Sequence, residues 1–439
     1  MRLAHLAQFE WVLLLALLPL VMFSTAGGLA VLVLLPMLWL VRKRATGRFV
    51  PDTPLNLPIL VLMITLAMSL VVTPDPAHSV PRSTNLLVGI ALFFALTEAA
   101  HQNRRQLWWG VATLLSSGVA MAGLGLLATN WQNKFPPLAA ITGRLPQALQ
   151  LPGTINGVSP NELAGVLLWV VPPALALTWG CLFYRREWVG LPVRTGRSWW
   201  VCLAVFAGTL FTLAVLVLTQ SRSGLLGLAA AILFLLAIAT RYRRWLLPIL
   251  GGLFVVALIG LVAFGPDQVL ATIFTTQEIE GEALGNTFSL ETLATRQEIW
   301  QRASLGIQDF PLTGMGFNMF RHVAPILYPY LQLPLGIDIA HAHNHLLQAA
   351  LDLGLVGLTA YIALWVASGW LLWLGWRQAD DVWQRVLTAG IAAALVGSFV
   401  YGLTDAVTLG ARAGFLFWLL LGLAGGMGQG TRMNTAHSE

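Results

Sequence analysis

The chain has eight histidines, and three of them, His341, His343 and His345, stand at alternate positions in Ala340-His341-Ala342-His343-Asn344-His345. The cluster sits where a long polar segment runs into an apolar one, Leu346 to Leu358. Three chemistries fit it. Imidazoles are metal ligands, although on a helix only His341 and His345, four apart, would share a face. They also serve as interfacial side chains with satisfied hydrogen bonds and no further role. The third is general base catalysis: the dipole at a helix N-terminus disfavours the imidazolium, so the ring stays neutral and accepts a proton at about pH 7. A hydroxyl nucleophile is the natural donor of that proton.

Two arginines have matching placements. Ser221 is a fair N-cap for the apolar run that follows Gly224, which puts Arg222 in the first turn. Thr295-Arg296-Gln297-Glu298 has the capping-box spacing, predicting a helix with Thr295 as N-cap that carries Ile299, Trp300, Ala303 and Ile307 on one stripe and stops at Pro311. Cations avoid helix N-termini unless both act on an anion, and a guanidinium beside free N–H groups suits a phosphate or pyrophosphate. The plain alternatives are an arginine snorkelling to headgroups or a solvated helix end. Arg412 and Arg302 are further candidate anion contacts on the same side.

The elements that must position these residues are nearly all membrane. The chain is 57% hydrophobic and 10% charged, where a soluble domain carries roughly 25% charged residues. Its apolar runs predict an all-α polytopic membrane protein of about twelve helices, at 7–24, 26–41, 57–73, 85–100, 107–129, 161–183, 199–219, 224–240, 245–264, 345–376, 386–403 and 412–428. Continuous runs, not alternating ones, exclude a β-barrel. The first run reads as a span because no clear cleavage site follows it. The tenth is too long for a bilayer of about 30 Å, so its first turns are expected to project from it.

Seventeen of the 25 Lys and Arg residues fall in one alternating set of connecting segments, among them Arg42, Lys43, Arg44, Arg104, Arg105, Arg377 and Arg385. That bias places both termini in the cytoplasm. The chain then divides into spans one to nine (1–264), a large outer loop (265–344) closed by the histidines, and three further spans with a cytoplasmic tail (345–439). A second outer segment, about 130–160, is rich in Pro, Gly and Asn and predicts turns.

Other acidic and thiol groups are read as bystanders. No outer loop carries an Asp-x-Asp pair, which leaves divalent-metal phosphate binding with little support, and no cofactor is implied. Glu278, Glu280 and Glu282 form a solvated run, and Asp380-Asp381 is cytoplasmic. Glu98, Glu162, Asp352 and Asp405 lie near span ends, so no mid-membrane chain of carboxylates suggests proton-coupled transport. Cys181 and Cys202 fall inside spans as small packing residues.

Four stretches together resemble the O-antigen ligase and polymerase group of bacterial membrane glycosyltransferases. They are Ser221-Arg222-Ser223-Gly224; Arg296-Gln297-Glu298-Ile299-Trp300 leading to Pro311-Leu312-Thr313-Gly314-Met315-Gly316-Phe317; His343-Asn344 with Gly354 ten residues after the asparagine; and, more weakly, Gly157-Val158-Ser159-Pro160-Asn161-Glu162. The resemblance implies a GT-C-like helical protein of the inner membrane with its active site in a periplasmic loop. The donor would be a glycan on undecaprenyl pyrophosphate, and the acceptor a sugar hydroxyl. Transfer would invert the anomeric centre and need no metal.

In that family's pattern His343 is the general base, while Arg222 and Arg296 hold the pyrophosphate as it leaves. His341 and His345 are expected to support the base or touch substrate. The favoured member is a ligase acting on lipid A core. The alternative is a polymerase extending lipid-linked repeats, and a protein O-glycosylating relative is less favoured because no long outer domain follows span twelve. From a different class, a twelve-span transporter is opposed by the absence of internal repeats and by the long outer loop.

Overall fold

The computed structural model describes residues 8–131, 135–146, 149, 157–184, 198–240, 244–245, 248–249, 251–252, 290–329 and 339–427. Most of the ninth expected span, the outer loop over 265–289 and 330–338, the acidic run Glu278, Glu280 and Glu282, and Leu151 to Asn156 lie outside these residues.

The described elements are helical: α1 (Glu10–Phe23), α2 (Thr25–Thr46), α3 (Asn56–Val72), α4 (Pro76–Gln102), α5 (Arg104–Ala128), α6 (Pro136–Thr142), α7 (Pro160–Leu167), α8 (Val171–Tyr184), α9 (Ser198–Leu218), α10 (Arg222–Ala239), α11 (Leu290–Asp309), α12 (Phe320–Leu327), α13 (His345–Arg377), α14 (Val382–Gly402) and α15 (Phe415–Met427). Seven are long and apolar enough to cross a membrane, or eight if α7 and α8, bent by 41°, form one broken span. Three shorter apolar segments accompany them: α1, α3, and α15 with the tight turn before it. The protein is thus a many-helix membrane protein, while the expected count of about twelve spans is finer than this structure shows.

The helix α4 is the axis of the bundle, since 89% of its apolar stretch is buried. By contrast α2 and α9 bury 28% and 22% of theirs and turn Leu, Val and Trp side chains outward, as a lipid-facing surface allows. α15 packs along α4, α14 packs between α8 and α10, and α13 packs on α3. Where α10 crosses α14 the backbones approach so closely that a Cβ on Gly227 would lie 2.5 Å from the carbonyl oxygen of Gly397. Small residues at such a crossing are the usual means of close packing in lipid. The crossing brings the start of α10, at Arg222, beside the segment that leaves α14, and the hydroxyls of Ser223 and Thr404 join them at 2.9 Å.

The tenth expected span is not one straight helix. His345 Nδ1 lies 3.0 Å from the Tyr361 hydroxyl, and the rings of His345 and Trp365 are 5.6 Å apart. In a straight helix sixteen residues span about 24 Å, so α13 must fold back on itself. The reversal is at Gly354, with φ 71 and ψ −179. It separates a short arm, 345–353, from a long one, 355–377, and the short arm returns the histidines toward the bundle.

The turn 311–316 clasps this break. Leu355 donates its N–H to the Pro311 carbonyl at 2.7 Å, and Met315 donates its own to the Leu351 carbonyl at 2.7 Å. Gly314, at φ +68, packs so close that a Cβ would meet the Leu351 oxygen at 2.4 Å. Two stretches singled out separately in the sequence are therefore one joint.

One expectation is corrected. Thr295 is not an N-cap, because α11 begins at Leu290 and Arg296 lies within it. The helix-forming stretch Leu290-Glu291-Thr292-Leu293-Ala294 extends the helix upstream, and Glu298 pairs with Arg302 at 3.4 Å.

Replacing Gly354 by Ala should destabilise the fold by at least about 3 kcal/mol, because its φ and ψ suit only glycine and a Cβ would meet the Leu312 oxygen at 2.3 Å. Thermal unfolding in detergent micelles checks this. An unchanged melting temperature would mean that 345–377 runs as one uninterrupted helix.

Candidate functional site

The site is organised by a residue outside the expected set. Asp405 lies in the segment after α14 and is 1% exposed. Asn161, at the start of α7, donates its side-chain N–H to Asp405 Oδ2 at 2.8 Å, and the Ala406 N–H donates to Oδ1 at 2.9 Å. Three cationic or ionisable groups face the same carboxylate. Arg296 is 3.7 Å from Oδ2, His341 Nε2 is 3.7 Å from Oδ1, and His343 Nδ1 is 3.4 Å from Oδ1. Burial opposes ionisation of Asp405, but the neighbouring His343, His341 and Arg296 outweigh it and hold the carboxyl at about 2. Asp405 is therefore ionised at neutral pH.

The two histidines are set by local backbone geometry. His343 takes φ 48, a left-handed conformation that is uncommon without glycine, and Asn344 follows as the N-cap of α13, accepting from the N–H groups of Leu346 and Leu347. The Asn344 amide also donates to the Leu403 carbonyl at 2.9 Å, tying the histidine turn to the Asp405 segment. Between the histidines, the Ala342 N–H donates to Gln348 Oε1 at 2.9 Å and the Ala342 carbonyl accepts from the Trp300 indole at 3.0 Å. Gln348 in turn donates to Asp352 at 2.9 Å, and Asp352 accepts the Asn318 N–H at 2.9 Å. Trp300, a residue of the arginine motif, thus fixes the backbone that carries His341 and His343.

His341 Nδ1 accepts the His343 N–H at 3.1 Å, so a neutral His341 ring carries its proton on Nε2, the atom that faces Asp405. The two rings stand 4.4 Å apart. Burial, then the charge of His343, pushes the His341 imidazole down from 6.5 to about 4. It stays neutral at working pH.

His341, His343 and Asp405 bring their ligand atoms within 4.8 Å of one another, close enough for a metal ion. The helical-spacing objection to metal binding does not apply, because His341 and His343 precede the helix. Two other features do oppose a dication. The His341 tautomer directs an N–H at the carboxylate, and the Arg296 guanidinium stands at 3.7 Å from the same group.

The remaining expected residues are placed as follows. Arg222 is the first residue of α10, with the Ser221 hydroxyl capping the Gly224 N–H at 3.2 Å, and its charge lies close enough to that of Arg296 for mutual repulsion. His345 stands apart from Asp405, 6% exposed among Tyr361, Trp365 and Phe399. Arg412 lies over the Phe23 ring at 5.4 Å and within electrostatic range of Arg82 and Glu162. Arg302 pairs with Glu298.

Asp405, Asn161 and Arg82 have no role in the sequence reading, although Arg82 contributes to the field at His341. A usable signal existed for Asp405. It is one of only 19 acidic residues, and it ends an apolar run on the side where the histidines lie.

Residues 207–362 match the family model described as O-antigen ligase. The match takes in Arg222, Arg296, the 311–316 turn, the three histidines and Gly354, and stops short of Asn161, Asp405 and Arg412. Over that stretch the chain is similar to the O-antigen ligase family. No curated protein matches the chain.

The depressed His341 value has a pH consequence. Above about 6.5 the ring is neutral in both folded and unfolded chains, and below that the unfolded chain binds the extra proton first, so stability falls as pH drops from 6.5 toward 4. The full shift corresponds to roughly 3 kcal/mol. The melting temperature of the wild type should therefore fall more steeply between these pH values than that of His341→Asn. Parallel curves would place His341 in contact with water.

Proposed function

We propose that this protein belongs to the O-antigen ligase family and is a ligase that moves a glycan from undecaprenyl pyrophosphate to a sugar hydroxyl of lipid A core on the outer face of the bacterial inner membrane. In the proposed reaction, the acceptor hydroxyl gives its proton to His343 as its oxygen attacks the anomeric carbon from the side opposite the pyrophosphate. The bond from that carbon to the pyrophosphate oxygen breaks with inversion. Undecaprenyl pyrophosphate leaves with the bonding pair, and Arg222 and Arg296 balance its charge. The proton on His343 then passes to solvent.

The observation that carries this reading is the ionised Asp405 carboxylate beside His343 Nδ1, at 3.4 Å. A carboxylate there favours a proton on Nδ1, which leaves the Nε2 lone pair as the base and stabilises the imidazolium formed during transfer. The separation is longer than a formed hydrogen bond, and catalytic contacts commonly tighten when substrate binds. Arg222 and Arg296 repel each other, a cost that an anion between them would relieve. Fixed guanidiniums then take the part that a divalent metal plays in other transferases.

Transfer by purified protein in the presence of chelator tests the reading, with undecaprenyl-pyrophosphate glycan as donor and lipid A core as acceptor. One glycan block should appear on the core. His343→Ala should lower kcat by about 100-fold to 10,000-fold, and Asp405→Asn by a comparable factor with little change in KM. Arg222→Ala should weaken both parameters. Lengthening of the lipid-linked donor without core would instead make the protein a polymerase, and wild-type rates in His343→Ala would remove the base assignment.

A further inference from the structure

Below the Asp405 segment lies a cleft between the α7–α8 break, α13, α14 and the start of α15, enclosing about 500 Å³ including its open mouth. Its walls include Trp169, Trp365, Phe417 and Trp418. Among its polar lining residues are His345 and Ser398, which are 6% and 7% exposed. His345 Nε2 and Ser398 Oγ have no hydrogen-bond partner among the described residues, whereas His345 Nδ1 is engaged by Tyr361. Gly402 makes room for the imidazole, since a Cβ there would stand 2.7 Å from the ring.

Buried polar atoms of this kind are costly unless something pairs with them. A hydrocarbon chain in the cleft would offer them nothing. A ligand with an apolar face for the aromatic rings and hydroxyls at its edge would satisfy both. Tyr401, Gly402 and Val407, which flank Asp405, also line the cleft, so its occupant lies next to the carboxylate that faces His343.

We propose that this cleft seats a single sugar ring, held between aromatic side chains and hydrogen-bonded by His345 Nε2 and Ser398 Oγ, beside the Asp405 centre. The inference rests on the glycosyl-transfer reading for the source of the ring, which is either the reducing end of the transferred glycan or the hydroxyl-bearing end of the acceptor. His345 is then a substrate-binding residue in a separate subsite, which accounts for its distance from the Asp405 carboxylate.

The test uses full-length protein in micelles carrying Ser398→Ala or Ser398→Leu. Ser398→Ala removes an unpaired buried hydroxyl, so the melting temperature should hold or rise while KM for one substrate rises about tenfold and kcat changes less than twofold. Ser398→Leu fills the space and should raise the same KM further; should it fail to fold, the alanine variant alone decides. A rise confined to the lipid-linked donor assigns the ring to the transferred glycan, and one confined to lipid A core assigns it to the acceptor.

Titration of each substrate into His343→Ala protein, with and without Ser398→Ala, reads binding without turnover. If wild-type protein transfers nothing but the Ser398 change still weakens binding about tenfold, the cleft assignment stands and the catalytic one fails. Unchanged KM and affinity in a well-folded Ser398→Ala protein would overturn the proposal and leave the cleft to water or a hydrocarbon chain.

Discussion

A carboxylate withdrawn from water costs several kcal/mol unless its charge is met nearby, and Asp405 imposes that requirement on the end of the bundle where it lies. The groups that meet it come from far apart in the chain. Asn161 is supplied by the start of α7, Arg296 by α11, and His341 and His343 by the turn before α13. Displacing any one of these elements would leave the buried charge less well compensated. The convergence of α7, α11, α13 and α14 is therefore fixed by electrostatics as well as by apolar packing.

The reversal at Gly354 is what makes that convergence possible. If 345–377 ran straight, the short arm would carry the histidines away from α14, and the Asn344 amide could not reach the Leu403 carbonyl. The clasp of 311–316 on the break links the same geometry to α11, because that turn follows the helix bearing Arg296 and Trp300. Trp300 then reaches back to the Ala342 carbonyl. His343, Arg296 and the 311–316 turn form one mechanical unit although about fifty residues separate its ends.

The sequence made much of this legible where a local rule applied. The apolar runs identify the helices, Ser221 caps α10 with Arg222 in its first turn, and the Pro311–Phe317 stretch reads as a turn. What could not be read was long-range. A helix N-terminus was assigned at Thr295 from a capping-box spacing that also occurs inside helices, and the upstream residues Leu290 to Ala294 are good enough helix formers to override it. Gly354 was visible as a glycine, but its torsion depends on the carbonyls of Pro311 and Leu312, forty residues earlier. Asp405 looked like a span-end residue because nothing in its neighbours along the chain announces the histidines. His345 shared a motif with His343, yet two residues of chain at a helix start turn one ring to the carboxylate and the other into an aromatic cluster.

Two buried arginine–carboxylate pairs in this molecule differ in a way that separates structure from function. Arg42 holds Glu10 through Nε at 2.8 Å, with side chains 1% and 3% exposed, and Arg42 also donates to the Phe49 carbonyl at 2.9 Å. All three nitrogens of that guanidinium are engaged, and its effect is to lock α1 to α2. Arg296 stands at 3.7 Å from Asp405, with its side chain 19% exposed. At that separation the carboxylate orients the guanidinium without engaging it in a short, bidentate bond, and its donors stay able to turn to another anion. The same holds for His343, placed at 3.4 Å by the carboxylate. A tighter Asp405 would neutralise its partners and compete with a negatively charged substrate. A more distant one would leave Arg296, Arg222 and the histidines to repel each other apart. On the proposed glycosyl-transfer reading, the loose geometry around one strongly acidic carboxylate reconciles a rigidly held site with cations left available to the substrate.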